Sequence, residues 1–199
     1  MPLSEVLSDE GVLISPIKLY ERGVRQSHVV ALLASVDKKE CSSLLPGDFL
    51  AQVSSNRLGL KRLAEWLASA EVDLCYFQEG LRSINEYGSR LAMKSLAKIP
   101  NGIVHFSDFM DGDGFSAQAV KIQLSMAVQD GRFYFDFEGT SGQVRGNINC
   151  PMSVCAASVY YVFAGLLPDY VPHCDGVFGL LDIKAPEGCL VNARQGVAV

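Results

Sequence analysis

A chain of 199 residues is long enough for one domain, or two small ones, built on a real hydrophobic core. Its 17 basic and 22 acidic residues leave a net charge of −5, and the acidic balance argues against binding nucleic acid or an anionic membrane through bulk charge. Hydrophobic residues at 49% and charged residues at 20% exclude extended disorder. The mean hydropathy of +0.19 is high for a complete soluble protein, so some apolar surface is expected to meet a partner or further chain.

The first 26 residues carry no strong periodicity and read as an extended arm. Ser27 is placed to cap a helix through His28–Leu33 that ends near Asp37. Pro46-Gly47-Asp48 marks a turn and a second helix start, after which Leu50, Val53, Leu60, Leu63, Trp66 and Leu67 recur at roughly helical spacing. Gly59 interrupts that pattern and marks a close approach or a bend. A third helix is expected from about Val72 to Ala97, with Gly80 and Gly88 as small packing residues on it.

At Ile99-Pro100-Asn101-Gly102 the period changes from 3.6 to 2. A strand is expected around Ile103 to Phe109. Val120, Ile122, Leu124, Met126 and Val128 then alternate with polar or small residues, as do Phe133, Phe135 and Phe137. Asp130-Gly131 between these runs is a hairpin signal, with the Phe face inward. Gly139 to Pro151 reads as a loop, Ser153 to Leu167 as a buried helix, and the tail as a strand at Leu181 and Ile183 with a turn at Pro186-Glu187-Gly188. Helices, then an antiparallel sheet, then a helix is an α+β order. The sequence divides into a helical region, 1–98, and a sheet-plus-helix region, 99–199, read as one compact unit cut from a larger chain.

No window holds the run of about 18 apolar residues that a membrane span needs. The start, Met1-Pro2-Leu3-Ser4-Glu5, has neither the basic nor the apolar region of a secretory signal. The expectation is a cytoplasmic chain whose six cysteines stay reduced, since none is spaced as in a zinc knuckle. His28, His105 and His173 are unpaired in sequence and read as surface or packed residues, not metal ligands. Asp108, Asp111 and Asp113 flank Gly112 and Gly114, but Phe109 stands where an EF-hand would need its first ligand, so this is an acidic turn. There is no Gly-x-Ser-x-Gly elbow and no Gly-Lys-Ser/Thr phosphate loop.

The segment Phe135 to Pro151 (FDFEGTSGQVRGNINCP) combines close-approach glycines with Thr140, Gln143, Arg145, Asn147 and Asn149 as hydrogen-bonding groups. Composition alone reads it as a well-bonded connection from sheet to helix. Together with YYVFAGLLPDYVP (Tyr160 to Pro172) and APEGCLVNA (Ala185 to Ala193), it resembles the B subunit of the hydantoinase/oxoprolinase family. SPIKLYERG (Ser15 to Gly23), GDFLAQVSSNRLGLKRL (Gly47 to Leu63), Asn85-Glu86, IPNG (Ile99 to Gly102) and the DGDG loop extend that resemblance collinearly over nearly the whole chain.

The resemblance implies a fragment of an ATP-dependent cyclic-amide hydrolase that opens 5-oxoproline or hydantoins together with a hydantoinase A-type subunit. It also implies that the family continues on both sides of this stretch, with a His/Asp-rich, metal-site-like segment upstream. ATP is then expected on the partner subunit, and no cofactor or metal on this fragment. Matching motifs imply binding or orienting roles for Asp48, Gln52, Asn56, Arg145 and Asn149, while the catalytic residues remain unassigned. Cys174 and Gly179-Leu180 stand where the family has Asn and Arg-Pro, and Ser35 and Asp37 where it favours Asn and Arg. The alternatives are a piece of a ketone carboxylase subunit, or a non-catalytic module that docks an A-type subunit.

Overall fold

A computed structural model describes residues 4–11, 13–36 and 47–199. Asp37, Cys41 and Pro46 therefore lie outside the described residues. Chain contacts divide the molecule into two compact units, 11–78 and 1–10 with 79–199. This division follows packing and not the change from helix to strand near residue 98.

The unit 11–78 opens with a small antiparallel hairpin where the sequence suggested only an extended arm. Strands β1 (Tyr20–Glu21) and β2 (Val24–Arg25) are joined through Arg22 and Gly23, with φ of +50° and +81°. Two left-handed residues in succession are what a tight hairpin turn needs. Helix α2 (Ser27–Val36) starts at Ser27 itself, and Val30 N–H donates to the Gln26 carbonyl, so Gln26 takes the cap position expected for Ser27. Val29, Val30 and Leu33 of α2 are buried against Ile14, Leu19 and Phe49.

Helix α3 (Gly47–Ser69) follows and has no buried residue. Its Arg57 stacks over the Tyr20 ring at 4.5 Å, and Trp66 meets Phe77 edge-on at 6.0 Å. Helix α4 (Leu74–Leu96) begins under an Asp73 cap, whose carboxylate accepts from Tyr76 N–H at 2.8 Å.

The second unit is built on a four-stranded sheet of order β3-β4-β5-β6. Strands β3 (Gly102–Met110), β4 (Val120–Gln129) and β5 (Arg132–Asp136) are antiparallel neighbours. Asp130 and Gly131, at φ +50° and +77°, close the β4–β5 hairpin where the sequence placed it. Strand β6 (Leu181–Lys184) joins parallel to β5, reached through helix α5 (Met152–Gly165) and the short α6 (Asp175–Phe178). The inward Phe face holds: Phe133 and Phe137 are buried, with Phe135 half-buried between them.

Phe133 meets Phe163 of α5 edge-on at 5.2 Å. Both belong to a core with Ala92 and Leu96 of α4 and Val171, Val177 and Leu180. Fully burying one such ring is worth about 2–3 kcal/mol in transfer free energy. A neighbouring core gathers Phe137, Cys155, Val159, Cys189 and Val191. The chain's two ends also meet in this unit. Val6 bridges Val197, and Leu7 N–H of α1 (Leu7–Glu10) donates to the Gly196 carbonyl.

Gly88 packs as expected, since a Cβ there would lie 2.6 Å from Cys174 Sγ. Gly59 and Gly80 differ: a Cβ on either would meet nothing within 4 Å. Of the two readings at Gly59, a close approach or a bend, the close approach is absent among the described residues.

Candidate functional site

Strand β5 stops at Asp136 because Gly139, at φ +85°, turns the chain tightly past Gln123. The following side chains then replace the ladder. Thr140 Oγ1 accepts from Gln123 N–H at 3.1 Å and donates to the Gln123 carbonyl at 3.0 Å. Ser141 does the same service for Lys121, with Oγ accepting from Lys121 N–H at 2.9 Å and its own N–H donating to the Lys121 carbonyl. On its other side the loop is stitched to the tail: Gln143 N–H donates to the Gly188 carbonyl, Leu190 N–H to Ser141 and Cys150 N–H to Leu190.

This loop meets the DGDG turn. A Cβ on Gly146 would collide with the Asp113 carbonyl oxygen, so glycine is required for the approach. Asp113 is buried, and its Oδ1 accepts from Phe115 N–H at 3.0 Å and Ser116 N–H at 2.7 Å. The Ser116 backbone donor holds its carboxyl below the usual range, against the opposing effect of burial, with help from Phe115 and Gly146. Asp113 thus ties a turn together, in keeping with the acidic-turn reading. Between the two loops lies a polar cleft of 320 Å³, walled by Ser116, Gln118, Ser141, Gly142, Gln143 and Val144. Ser116, Ser141, Gln143 and Val144 spend their amides within the fold, which leaves the polar side chains of the cleft to hold a small polar group.

Of the residues singled out from sequence, Arg145 and Asn149 fall in this loop. Both are engaged in holding it. The Arg145 guanidinium makes a two-pronged pair with Glu5, Nε to Oε2 and Nη2 to Oε1, each at 2.7 Å. It also lies over the Phe115 ring at 4.6 Å. Glu5 raises its pKa further. Asn149 is 5% exposed and both ends of its amide are engaged: the two Nδ2 protons are shared among the Val144, Gly146 and Ala198 carbonyls, and Oδ1 accepts from Val144 N–H.

Asp48, Gln52 and Asn56 sit four residues apart on α3, so they form one stripe of that helix, and all three are exposed. They belong to the other unit. Sequence reasoning passed over Glu5, Phe115 and Ser141. Ser141 stands in the marked loop and Phe115 directly follows the DGDG turn, but nothing local announces that Glu5, 140 residues away, completes Arg145.

Cys174 begins α6 without a side-chain cap. Asn85 of α4 supplies the missing acceptor, its Oδ1 taking Gly176 N–H at 3.3 Å. Cys150, Cys155 and Cys189 cluster in the core beneath the loop. Burial first, and the neighbouring Cys150 and Cys189, push the Cys155 thiol up to about 11. Cys75, Cys150, Cys155, Cys174 and Cys189 are all free thiols.

An α+β unit with a mixed sheet and a loop-built polar cleft is therefore the class of protein in hand. Residues 1–199 match the Hydantoinase B/oxoprolinase family model, and the chain belongs to that family. The 5-oxoprolinase PfmaA of Pestalotiopsis fici is 28% identical over 213 residues, covering 100% of this chain but 16% of its own. The B component of a putative D-/L-hydantoinase from a Pseudomonas species is 26% identical, over 92% of this chain and 32% of its own. Among solved structures, the ATP-dependent caprolactamase from Pseudomonas jessenii superposes with TM-score 0.78 at 20% identity, over 96% of this chain and 33% of that one. The nucleotide-free acetone carboxylase gives 0.65 at 16% identity, over 95% and 26%. The chain thus spans a third or less of these relatives' lengths. Among the described residues no helix is long and apolar enough to cross a membrane.

Proposed function

We propose that this chain supplies part of the B-type portion of an ATP-dependent cyclic-amide hydrolase, acting on a small lactam such as 5-oxoproline or a hydantoin. The observation that carries the reading is the family match over residues 1–199, together with relatives named as 5-oxoprolinases and as the B component of a hydantoinase. In this reading an A-type partner holds ATP and phosphorylates the lactam oxygen, and the B-type portion positions the activated ring for hydrolysis in the cytoplasm. Such chemistry depends on positioning and electrostatic complementarity more than on a protein nucleophile.

The polar cleft beside Ser141–Val144 is a place where the side chains of Gln118 and Ser141 can meet a small polar group, with Arg145 and Asn149 holding the loop in shape. The exposed Asp48, Gln52 and Asn56 stripe offers separate orienting groups. A site assembled from several segments loses its effective molarity when one is missing. The chain alone is therefore expected to turn over neither 5-oxoproline nor hydantoin, with or without ATP. A steady-state assay of ring opening and phosphate release tests this, with the chain alone and with the A-type partner and the remaining B-type polypeptide added. Turnover by the chain alone overturns the fragment reading. Bicarbonate-dependent consumption of acetone by the reconstituted assembly, without lactam hydrolysis, overturns the hydrolase reading in favour of carboxylation.

A further inference from the structure

The polar cleft has two walls from distant parts of the chain, residues 116–120 on one side and 141–144 on the other. None of the side chains that line it is ionisable. At 320 Å³ it stands at the lower end of the range for small-molecule sites, roughly 300–1,000 Å³. An uncharged lining offers no charge to balance a carboxylate or a phosphate, so the group it suits is polar and neutral.

The hydrogen-bonding capacity left on each wall narrows that group further. Ser116 is engaged with Asp113 through its amide and its hydroxyl. Ser141 Oγ accepts from Lys121 N–H at 2.9 Å, which leaves its proton to donate. Gln143 Oε1 accepts from Arg194 N–H at 2.9 Å, which leaves its Nε2 to donate. This wall therefore presents donors. Gln118, on the facing wall, is exposed, and among the described residues its carboxamide makes no hydrogen bond. It keeps a donor and an acceptor together on one edge.

That edge has a chemical complement. A small ring holds a lactam amide cis, so its N–H and C=O lie on the same side and can form two parallel N–H···O bonds with a primary carboxamide. An open-chain peptide amide is trans, with the two groups on opposite sides, and can form only one of these bonds at a time. An N-alkyl lactam has lost the donor. We propose that Gln118 reads the cis-amide edge of a small cyclic amide, while Ser141 and Gln143 donate to a second carbonyl on the same ring, as a hydantoin carries. The assignment rests on the cyclic-amide reading above and adds to it the side chain that tells a ring amide from a peptide.

Binding to the 199-residue chain without ATP tests this, so the result does not depend on turnover. Amide signals of the nitrogen-labelled chain are followed by NMR during titration with hydantoin, 2-pyrrolidone, N-methyl-2-pyrrolidone and N-methylacetamide. The Gln118 side-chain signal is the one that Gln118→Met removes. Hydantoin and 2-pyrrolidone are expected to move it saturably, and hydantoin also to move that of Gln143. The N-methyl lactam and the open-chain amide are expected to bind at least about fivefold more weakly, as the loss of a water-exposed hydrogen bond implies. Gln118→Met, shown by a thermal melt to keep the fold, is expected to bind 2-pyrrolidone and its N-methyl form equally. Equal affinity of the wild-type chain for those two lactams overturns the assignment. So does the absence of a saturable shift with hydantoin, or a Gln118→Met chain that still discriminates. A reconstituted assembly that opens no lactam, beside a chain that keeps this selectivity, strikes the hydrolase reading and leaves Gln118 in its role; turnover without the selectivity does the reverse.

Discussion

The side chains that sequence reasoning would send to a substrate are, in the central loop, those that hold the backbone in place. Asn149 is the clearest case. Four hydrogen bonds link it to Val144, Gly146 and Ala198, so it closes the loop on itself and fastens the C-terminal end beneath it. A buried donor left without a partner costs about 1–3 kcal/mol. Asn149→Ala strands the Val144 N–H and three carbonyls at once, and the expected loss is about 2–3 kcal/mol, at the upper end of that range. Chemical denaturation, read as a shift in midpoint at unchanged slope, measures it. Arg145 is held differently, at the surface. Its side chain is 62% exposed, so the pair with Glu5 is worth far less than its geometry suggests. A midpoint for Asn149→Ala equal to wild type would free Asn149 for a role outside the fold.

At the level of elements, the sequence was legible where one periodicity decides and illegible where partners are distant. The β4–β5 hairpin could be read because alternation and the Asp130-Gly131 turn agree. Helices α3 and α4 could be placed to within a few residues. The β1–β2 hairpin could not, because strands of two residues carry no period and Arg22-Gly23 is a weak turn signal. Nor could the parallel addition of β6 to β5, which is fixed by the crossover through α5 and α6. The site was legible only as a polar loop; its pairing with the DGDG turn and with Glu5 is long-range packing.

Glycines show the same divide, since spacing cannot tell a packed one from a bare one. Gly59→Ala adds a methyl into open space within an exposed helix, and a gain of about 0.5–1 kcal/mol in unfolding free energy is expected. Gly176→Ala drives its methyl into the Asn85 backbone carbonyl, where α4 and α6 meet, and cannot be relieved by a rotamer change. That variant is expected to lose about 1–3 kcal/mol. Paired thermal melts that move in opposite directions would bear out both assignments, and parallel shifts would refute them.

Taken as a whole, the molecule distributes its burial unevenly between its two units. The unit with the sheet has two apolar cores, one around Phe133, Phe163 and Val177 and another around Phe137 and Val159. Among its described residues the unit 11–78 has one small cluster on α2, and its longest element, α3, buries nothing. A helix draws most of its stability in water from packing one face, and among the described residues α3 has only half-exposed contacts, the Arg57–Tyr20 stack, the Trp66–Phe77 edge and Phe49 against α2, with local pairs such as Lys61–Glu65 at 3.7 Å. That exposed pair contributes only a few tenths of a kcal/mol. Opening of α3 therefore costs much less than opening of α5, whose Cys155, Val159 and Phe163 are buried. Amide hydrogen exchange followed by mass spectrometry should show peptides from 47–69 exchanging well before those from 152–165. Equal protection of the two helices would mean that α3 is covered by a surface other than its own chain, and adding the remaining B-type polypeptide should then leave its exchange unchanged. On the proposed function, slower exchange of α3 only after that addition is the expected result, because the exposed Leu58, Leu60 and Trp66 offer an apolar surface for the added polypeptide to cover.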